Sequence, residues 1–174
     1  KELSKCNKLK IILIHGVGID NIDLNYLRDK NIKLTITKNA NSVSVAEHAF
    51  LFMITLSRQL VISKRIIDDN NYKLKKKMIP NTYELLNKKI FKFGFGKIGK
   101  ELAKRCNAFG MCVLFYDPKY KKKLFKNKTY KFVTFDYGVK NADFISIHAP
   151  LNVKTKNIFN INSFKKMKKN AFII

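Results

Sequence analysis

Lys89-Ile90-Phe91-Lys92-Phe93-Gly94-Phe95-Gly96-Lys97-Ile98-Gly99 is the stretch that decides the fold. Ile90, Phe91 and Phe93 read as a short buried strand over Ile90–Phe93. The strand runs straight into G-x-G-x-x-G, and Ile98 to Phe109 carries a helical pattern. The glycine motif alone is a weak signal, but strand, glycine loop and helix in this order are the context its mechanism needs. Gly94 is expected to make the tight turn. Gly96 lets a pyrophosphate lie on bare backbone, and Gly99 lets the helix pack closely on the sheet. The helix N-terminus then offers unpaired N–H groups and a partial positive charge to the phosphates.

The next strand, Cys112 to Tyr116, ends in Tyr116-Asp117-Pro118. Asp117 lies 18 residues after Gly99, close to the spacing of about 20 at which a carboxylate meets the adenosine ribose. Its charge opposes a 2′-phosphate, so NAD is expected rather than NADP, although Lys119 and Lys121 soften that preference.

Downstream come a weak strand near Phe132, a short polar crossover, a strand at Phe144–Ile147, a helix over Ser163–Met167 and a strand at Ala171–Ile174. Strands alternating with crossovers imply a parallel sheet covered on both faces. His148 follows the Phe144–Ile147 strand at the carboxyl edge, where ligands bind in such sheets. Lys92 is discordant: a central parallel strand is buried on both faces, and an unpaired buried ammonium is costly. Either its head turns outward or the strand is locally loosened.

Upstream, a short buried strand at Leu9–Ile14 leads into His15-Gly16-Val17-Gly18, whose free N–H groups suit an anion-binding concavity or a plain turn. Asp20 or Asp23 caps a short helix over Ile22–Lys30, and Lys33–Ile36 is a second strand. Ser44 and Glu47 form a capping box for a helix expected to run to Ile66. Its stretch Ala49–Ile54 is apolar on every side, so it is expected to be buried between domains or subunits. His48, in its first turn, is read as a packed residue. Asp68–Asn71 and Lys73–Lys77 form a polar connector ending near Pro80.

The chain has 174 residues and a net charge of +24, with 36 Lys and Arg against 12 Asp and Glu. Only Arg28, Arg58, Arg65 and Arg105 are arginines, and arginine is the usual reader of phosphates and base edges. The lysines are spread along the chain, and the run Lys121–Lys123 reads as a solvated loop. This pattern argues against a nucleic-acid partner. Cys6, Cys106 and Cys112 lack metal or disulfide spacing, so a reduced, cytoplasmic setting is expected. The longest apolar run, Ala49–Leu56, is far short of the roughly 20 residues that span a bilayer. No metal-ligand cluster or serine nucleophile motif is visible. Position 1 is Lys rather than Met, which reads as a start within a longer product.

Six ordered segments resemble the D-isomer-specific 2-hydroxyacid dehydrogenases. They are Gly16–Leu24, Asn39–His48, Gly94–Gly99, Ala108–Met111 with Tyr116–Pro118, Ala142–Leu151 and Met167–Ile174. The pattern is nearest to the branch acting on D-3-phosphoglycerate, which serves serine biosynthesis. The resemblance implies an α/β fold: a Rossmann-like doubly wound parallel sheet (first half, strands 1–5) preceded by the tail of a smaller α/β substrate domain. Residues 1–85 would be the end of the substrate lobe plus an interdomain helix, and residues 86–174 the NAD-binding domain. Val17 and Gly18 would hold the substrate carboxylate, with Val17 also near the nicotinamide. Lys97 and Ile98 would touch the pyrophosphate through their N–H groups, Asp117 would bind the ribose, and His148, Ala149 and Pro150 would line the cofactor. The Ser44–Ile66 helix would form a homodimer. The catalytic Arg, Glu and His of the family fall beyond Ile174, so no catalytic residue is expected in this stretch, which should be inert by itself. Two other readings share the fold: an NAD(H)-sensing corepressor-like binding protein and an inactive fragment.

Overall fold

The computed structural model describes residues 3–16, 18–38, 40–78, 81–120 and 129–174. They form two compact units, residues 1–41 and 42–174. Val17, Pro80 and the Lys121–Lys123 run lie outside the described residues.

In the first unit, β1 (Ile11–Ile14) and β2 (Lys33–Ile36) pair in parallel, Ile11 opposite Lys33; β1 is not the buried strand its apolar run suggested, because a sheet of only two strands leaves Ile11 and Leu13 exposed. Helix α1 (Leu24–Asp29) joins them. Of the two candidate caps, Asp23 takes the role, accepting the Tyr26 N–H at 3.0 Å.

The second unit is built on five parallel strands: β3 (Lys89–Phe93), β4 (Cys112–Tyr116), β5 (Tyr130–Phe132), β6 (Phe144–Ile147) and β7 (Phe172–Ile173). Their spatial order is β5-β4-β3-β6-β7. From β3 the chain crosses one way through α5 (Lys97–Ala108) to β4. From β5 it crosses back through α6 (Phe135–Asn141) to β6, which lands on the other side of β3. This reversal is the doubly wound arrangement and leaves a crevice at the carboxyl ends of β3 and β6. The expected polar crossover is thus a true helix, started by Thr134, whose hydroxyl accepts the Tyr137 N–H.

Alternate residues of the central strands serve two cores. Ile90, Phe115 and Phe144 pack with Leu102, Ala103 and Cys106 of α5 and with Ala46, Ala49, Phe50 and Met53 of α2 (Ser42–Ser57). Phe91, Phe93, Leu114 and Ile145 pack with Val139 and Ala142 on the opposite face. Gly138 exists for this second core: a Cβ there would sit 2.2 Å from the Phe91 ring. Arg105 ties α5 to α2, donating to Glu47 at 2.7 Å and to Glu101 at 3.1 Å.

The long helix expected over Ser44–Ile66 is instead two helices bent by 59°, α2 and α3 (Leu60–Asp68). The cause is local. The Ser57 hydroxyl donates to the Ile54 carbonyl, the Tyr83 N–H takes the Ser57 carbonyl, and Gln59 adopts positive φ. Those contacts divert the groups that would continue the helix. The capping box fails as well, because α2 starts at Ser42 and Glu47 turns to Arg105. His48 is exposed and lies edge-on to Phe52. The supposed polar connector contains a helix, α4 (Lys73–Met78), consistent with the good helix propensity of lysine. The last helix, α7 (Ile161–Lys166), begins earlier than expected because Asn160 and Ser163 make a reciprocal cap. Among the described residues no single helix is long and apolar enough to cross a membrane.

Candidate dinucleotide-binding site

The glycine loop Gly94–Gly99 sits at the carboxyl end of β3, where the sheet reverses direction. Several contacts fasten it. The Gly94 N–H donates to the Tyr116 carbonyl at 2.8 Å, and the His148 N–H donates to the Phe93 carbonyl at 2.8 Å. Phe95, between two glycines, turns inward: it is 2% exposed and stacks on Phe115 with ring centroids 4.0 Å apart. Burying a Phe side chain stabilises by roughly 1.5–3 kcal/mol, so this residue anchors the loop. Nothing in the glycine spacing announces that anchor; an aromatic residue between two glycines is its only sequence sign.

The three glycines have different reasons to be glycine. Gly94 has φ +99, and a Cβ on it would lie 2.6 Å from the His148 carbonyl oxygen. A Cβ on Gly99 would lie 2.6 Å from the Gly94 carbonyl oxygen. Both are required by the protein's own packing. Gly96 is exposed, its φ is −72, and a Cβ there would meet nothing within 4 Å. It is the N-cap of α5, with no side chain capping the helix. No side chain of the cap therefore satisfies the first-turn N–H groups of α5, and the surface beside Gly96 and Lys97 is open.

Asp117 is buried at the tip of β4 beside this surface. One carboxylate oxygen accepts the Phe95 N–H at 2.9 Å and the other accepts the Lys119 N–H at 2.9 Å. It thus clamps the loop, a task that spacing alone did not reveal. Each oxygen keeps a second lone pair for a sugar hydroxyl.

A model of the NAD binding domain of the D-isomer specific 2-hydroxyacid dehydrogenases matches residues 50–174. The chain belongs to this family. Hydroxypyruvate reductase of Thermotoga maritima is 39% identical over 95% of this chain and 52% of its own length. D-3-phosphoglycerate dehydrogenase of Archaeoglobus fulgidus is 33% identical over 99% of this chain and 32% of its own. Among solved structures, the NAD-dependent formate dehydrogenase of Staphylococcus aureus in complex with NAD superposes with a TM-score of 0.87 at 34% identity. That match covers 98% of this chain and 50% of the other. The chain thus spans between about a third and a half of the length of these relatives.

As an NAD binding domain of this family, the second unit brings Gly94, Gly96, Lys97, Ile98, Gly99, Asp117 and His148 to one sheet edge, with Ala149 and Pro150 next along the chain. The residues fit the dinucleotide: an uncovered helix N-terminus for the diphosphate and a fixed carboxylate for the ribose. Ala149 and Pro150 line a cavity of about 300 Å³ with Phe93, Ile147 and Phe159. A larger hollow of about 610 Å³ lies among Leu56, Val61, Ile62, Tyr83 and Phe172. No glycine-loop residue lines it, so it is not the cofactor cleft. In the first unit, the Gly16 N–H is not free: it donates to the Thr37 hydroxyl at 2.7 Å, so the loop presents fewer open amides than its sequence suggested. Gly18 is exposed there. Among the described residues no cluster of His, Cys, Asp or Glu could hold a metal ion.

Lys92 follows neither expectation. Its head does not turn outward, and the strand keeps full parallel register with both neighbours. The side chain is 0% exposed and donates to the Gly99 carbonyl. Burial lowers its pKa from 10.5 to about 7, with the nearby Cys106 thiol acting the other way. Cys106 is itself pushed up to about 11, chiefly by burial. Beside Lys92 in register is buried Ser146, whose Oγ lies 2.8 Å from His148 Nε2. Burial, then the Lys92 charge, lowers the His148 pKa to about 4. Ser146 was not singled out by the sequence; a lone serine in an apolar strand is its only trace.

Proposed function

We propose that this chain holds NAD against the Gly94–Gly99 loop as the cofactor-binding part of an oxidoreductase acting on the CH–OH group of a D-2-hydroxyacid. The observation that carries this is Gly96, a helix cap kept without a side chain although the protein's packing leaves room for one. The N–H groups of Lys97, Ile98 and Gly99 bind the diphosphate, and Asp117 holds the ribose while it clamps the loop. His148, neutral near pH 7 and held by Ser146, with Ala149 and Pro150, lines the path toward the nicotinamide. Bound NAD supplies the hydride acceptor. The protein's part is orientation and charge. Val17 and Gly18 hold the substrate carboxylate. Residues 1–85 are the closing part of the substrate lobe with its linking helices, and residues 86–174 the cofactor domain. The 44–66 region, with Leu51, Phe52, Val61 and Ile62 exposed, forms a homodimer.

D-3-phosphoglycerate is the proposed substrate, supported by three relatives of that name at 32–34% identity. The 39% identity to a hydroxypyruvate reductase favours hydroxypyruvate as the rival. Steady-state turnover of the full-length protein decides between them: NAD reduction with D-3-phosphoglycerate against NADH oxidation with hydroxypyruvate. Activity with neither overturns the enzymatic reading. Calorimetry tests the site itself. Asp117→Asn should weaken NAD binding by about ten- to a hundredfold, as loss of a charge-assisted bond worth about 1.5–3 kcal/mol implies, and narrow the gap between NAD and NADP. Unchanged affinity for both would remove Asp117 from the site.

A further inference from the structure

One buried charge lies under the dinucleotide site with no partner of opposite sign. Lys92 is wholly excluded from water, and its ammonium reaches up from β3 to the Gly99 carbonyl in the first turn of α5. The groups facing it are the Cys106 thiol from α5, the Ser146 hydroxyl from β6, the His148 ring beyond β6 and the apolar Phe115 from β4. No carboxylate among the described residues pairs with it. The positive end of the α5 dipole adds to its isolation. An ammonium so placed is normally lost from a protein core or neutralised by shedding its proton.

The missing negative charge is available from outside. The Gly99 carbonyl belongs to the third residue of α5, so it lies within about 5 Å of the helix start along the axis. A diphosphate seated on the bare amides of Lys97 and Ile98 stands on the other side of that single turn. We infer that Lys92 is the buried counter-charge of the cofactor's diphosphate, so that its ammonium form binds the dinucleotide tightly, its amine form binds weakly, and binding near neutral pH is accompanied by partial proton uptake at Lys92. The inference rests on the dinucleotide reading of this loop. It assigns Lys92 a positioning role, since it acts through the Gly99 carbonyl and through its field.

The proton has one place to go. His148 loses its proton far below neutral pH and the Cys106 thiol keeps its own well above it. Between pH 6.5 and 9, Lys92 alone among the groups facing one another here changes charge. Across about 10 Å of protein at an effective dielectric constant near 20, the attraction corresponds to about a tenfold change in affinity. By linkage, a tenfold change implies uptake of roughly half a proton at pH 7.5.

The test is calorimetric titration of the full-length protein with NAD, and separately with ADP-ribose, which carries the diphosphate without the nicotinamide. Each is run at pH 6.5, 7.5 and 9 in two buffers of different ionisation heat. The expected results are buffer-dependent heats near pH 7.5 for both ligands and a Kd that rises about tenfold from pH 6.5 to 9. Both effects should vanish in Lys92→Met. Binding without buffer-dependent heat overturns the inference, as does uptake with NAD but not ADP-ribose, or uptake that persists in Lys92→Met. Should Lys92→Met fail to fold, the wild-type comparison still decides. Absence of any binding at all three pH values refutes the dinucleotide reading instead.

Discussion

Replacing Lys92 with Met keeps an unbranched side chain in β3 and removes a group whose charge burial disfavours. In the folded protein Lys92 titrates at about 7 rather than 10.5. Between those values the unfolded chain binds more protons than the native one, so stability rises with pH. At 1.36 kcal/mol per pH unit the whole gap corresponds to about 5 kcal/mol, an upper bound for a buried group. Above pH 9 Cys106 opposes it, because its folded thiol holds a proton up to about 11 that the unfolded chain releases near 9. The clean window is therefore pH 7 to 9, where Lys92 should add about 2–3 kcal/mol. For a chain of this size that is a rise in Tm of roughly 5–10 °C. Urea melts of the wild type without cofactor at pH 7, 8 and 9 should show the midpoint climbing. Lys92→Met should be flat over that range, with its advantage over wild type greatest at low pH. A wild-type midpoint that stays level or falls between pH 7 and 9 would refute the reasoning, and so would a variant that keeps the slope.

The two outer roles of the glycine loop should separate experimentally. Gly96→Ala should shift the melting midpoint by no more than the few tenths to 1 kcal/mol of an N-cap change yet weaken NAD binding measured by calorimetry. Gly94→Ala should destabilise by about 1–3 kcal/mol, because positive φ and a 2.6 Å approach to the His148 carbonyl oxygen leave no room; equal stability losses at the two sites would contradict this division. Gly138→Ala should cost about 1–3 kcal/mol by forcing its methyl against Phe91, read from denaturant midpoints. His148 should stay neutral down to about pH 4. Because the unfolded ring protonates near 6.5, native stability should decline as pH falls from 6.5 to 4; an NMR titration placing its midpoint near 6.5 would count against the burial of the ring beside Lys92.

Much of the cofactor domain was readable from residue pattern. The strand at Ile90–Phe93, the helix that follows the glycines and the strand ending before Asp117 each showed a period and a punctuation that agree with the tertiary structure. The dinucleotide loop could be placed because backbone geometry dictates its glycines. What stayed hidden depended on partners distant in sequence. The Ser44–Ile66 pattern gives no hint of the bend, since the contact that takes the Ser57 carbonyl comes from Tyr83. The clamp role of Asp117 needs Phe95, 22 residues earlier. Lys92 looked like a defect because the acceptor that satisfies it, the Gly99 carbonyl, is a backbone atom with no signature of its own. Local helix starts such as Asn160 with Ser163 were within reach of the sequence but were set by cap chemistry rather than by apolar period.

The fit between Phe91 and Gly138 has a historical side. A ring on the strand occupies the volume that any side chain on the helix would claim, so neither position is free to drift by itself. Enlarging residue 138 first would crowd the core, and shrinking residue 91 first would leave a hole. A lineage could move between the two solutions only through a less stable intermediate or by a paired change. A double substitution that trims the ring and fills the helix position should therefore cost far less than its two single steps suggest.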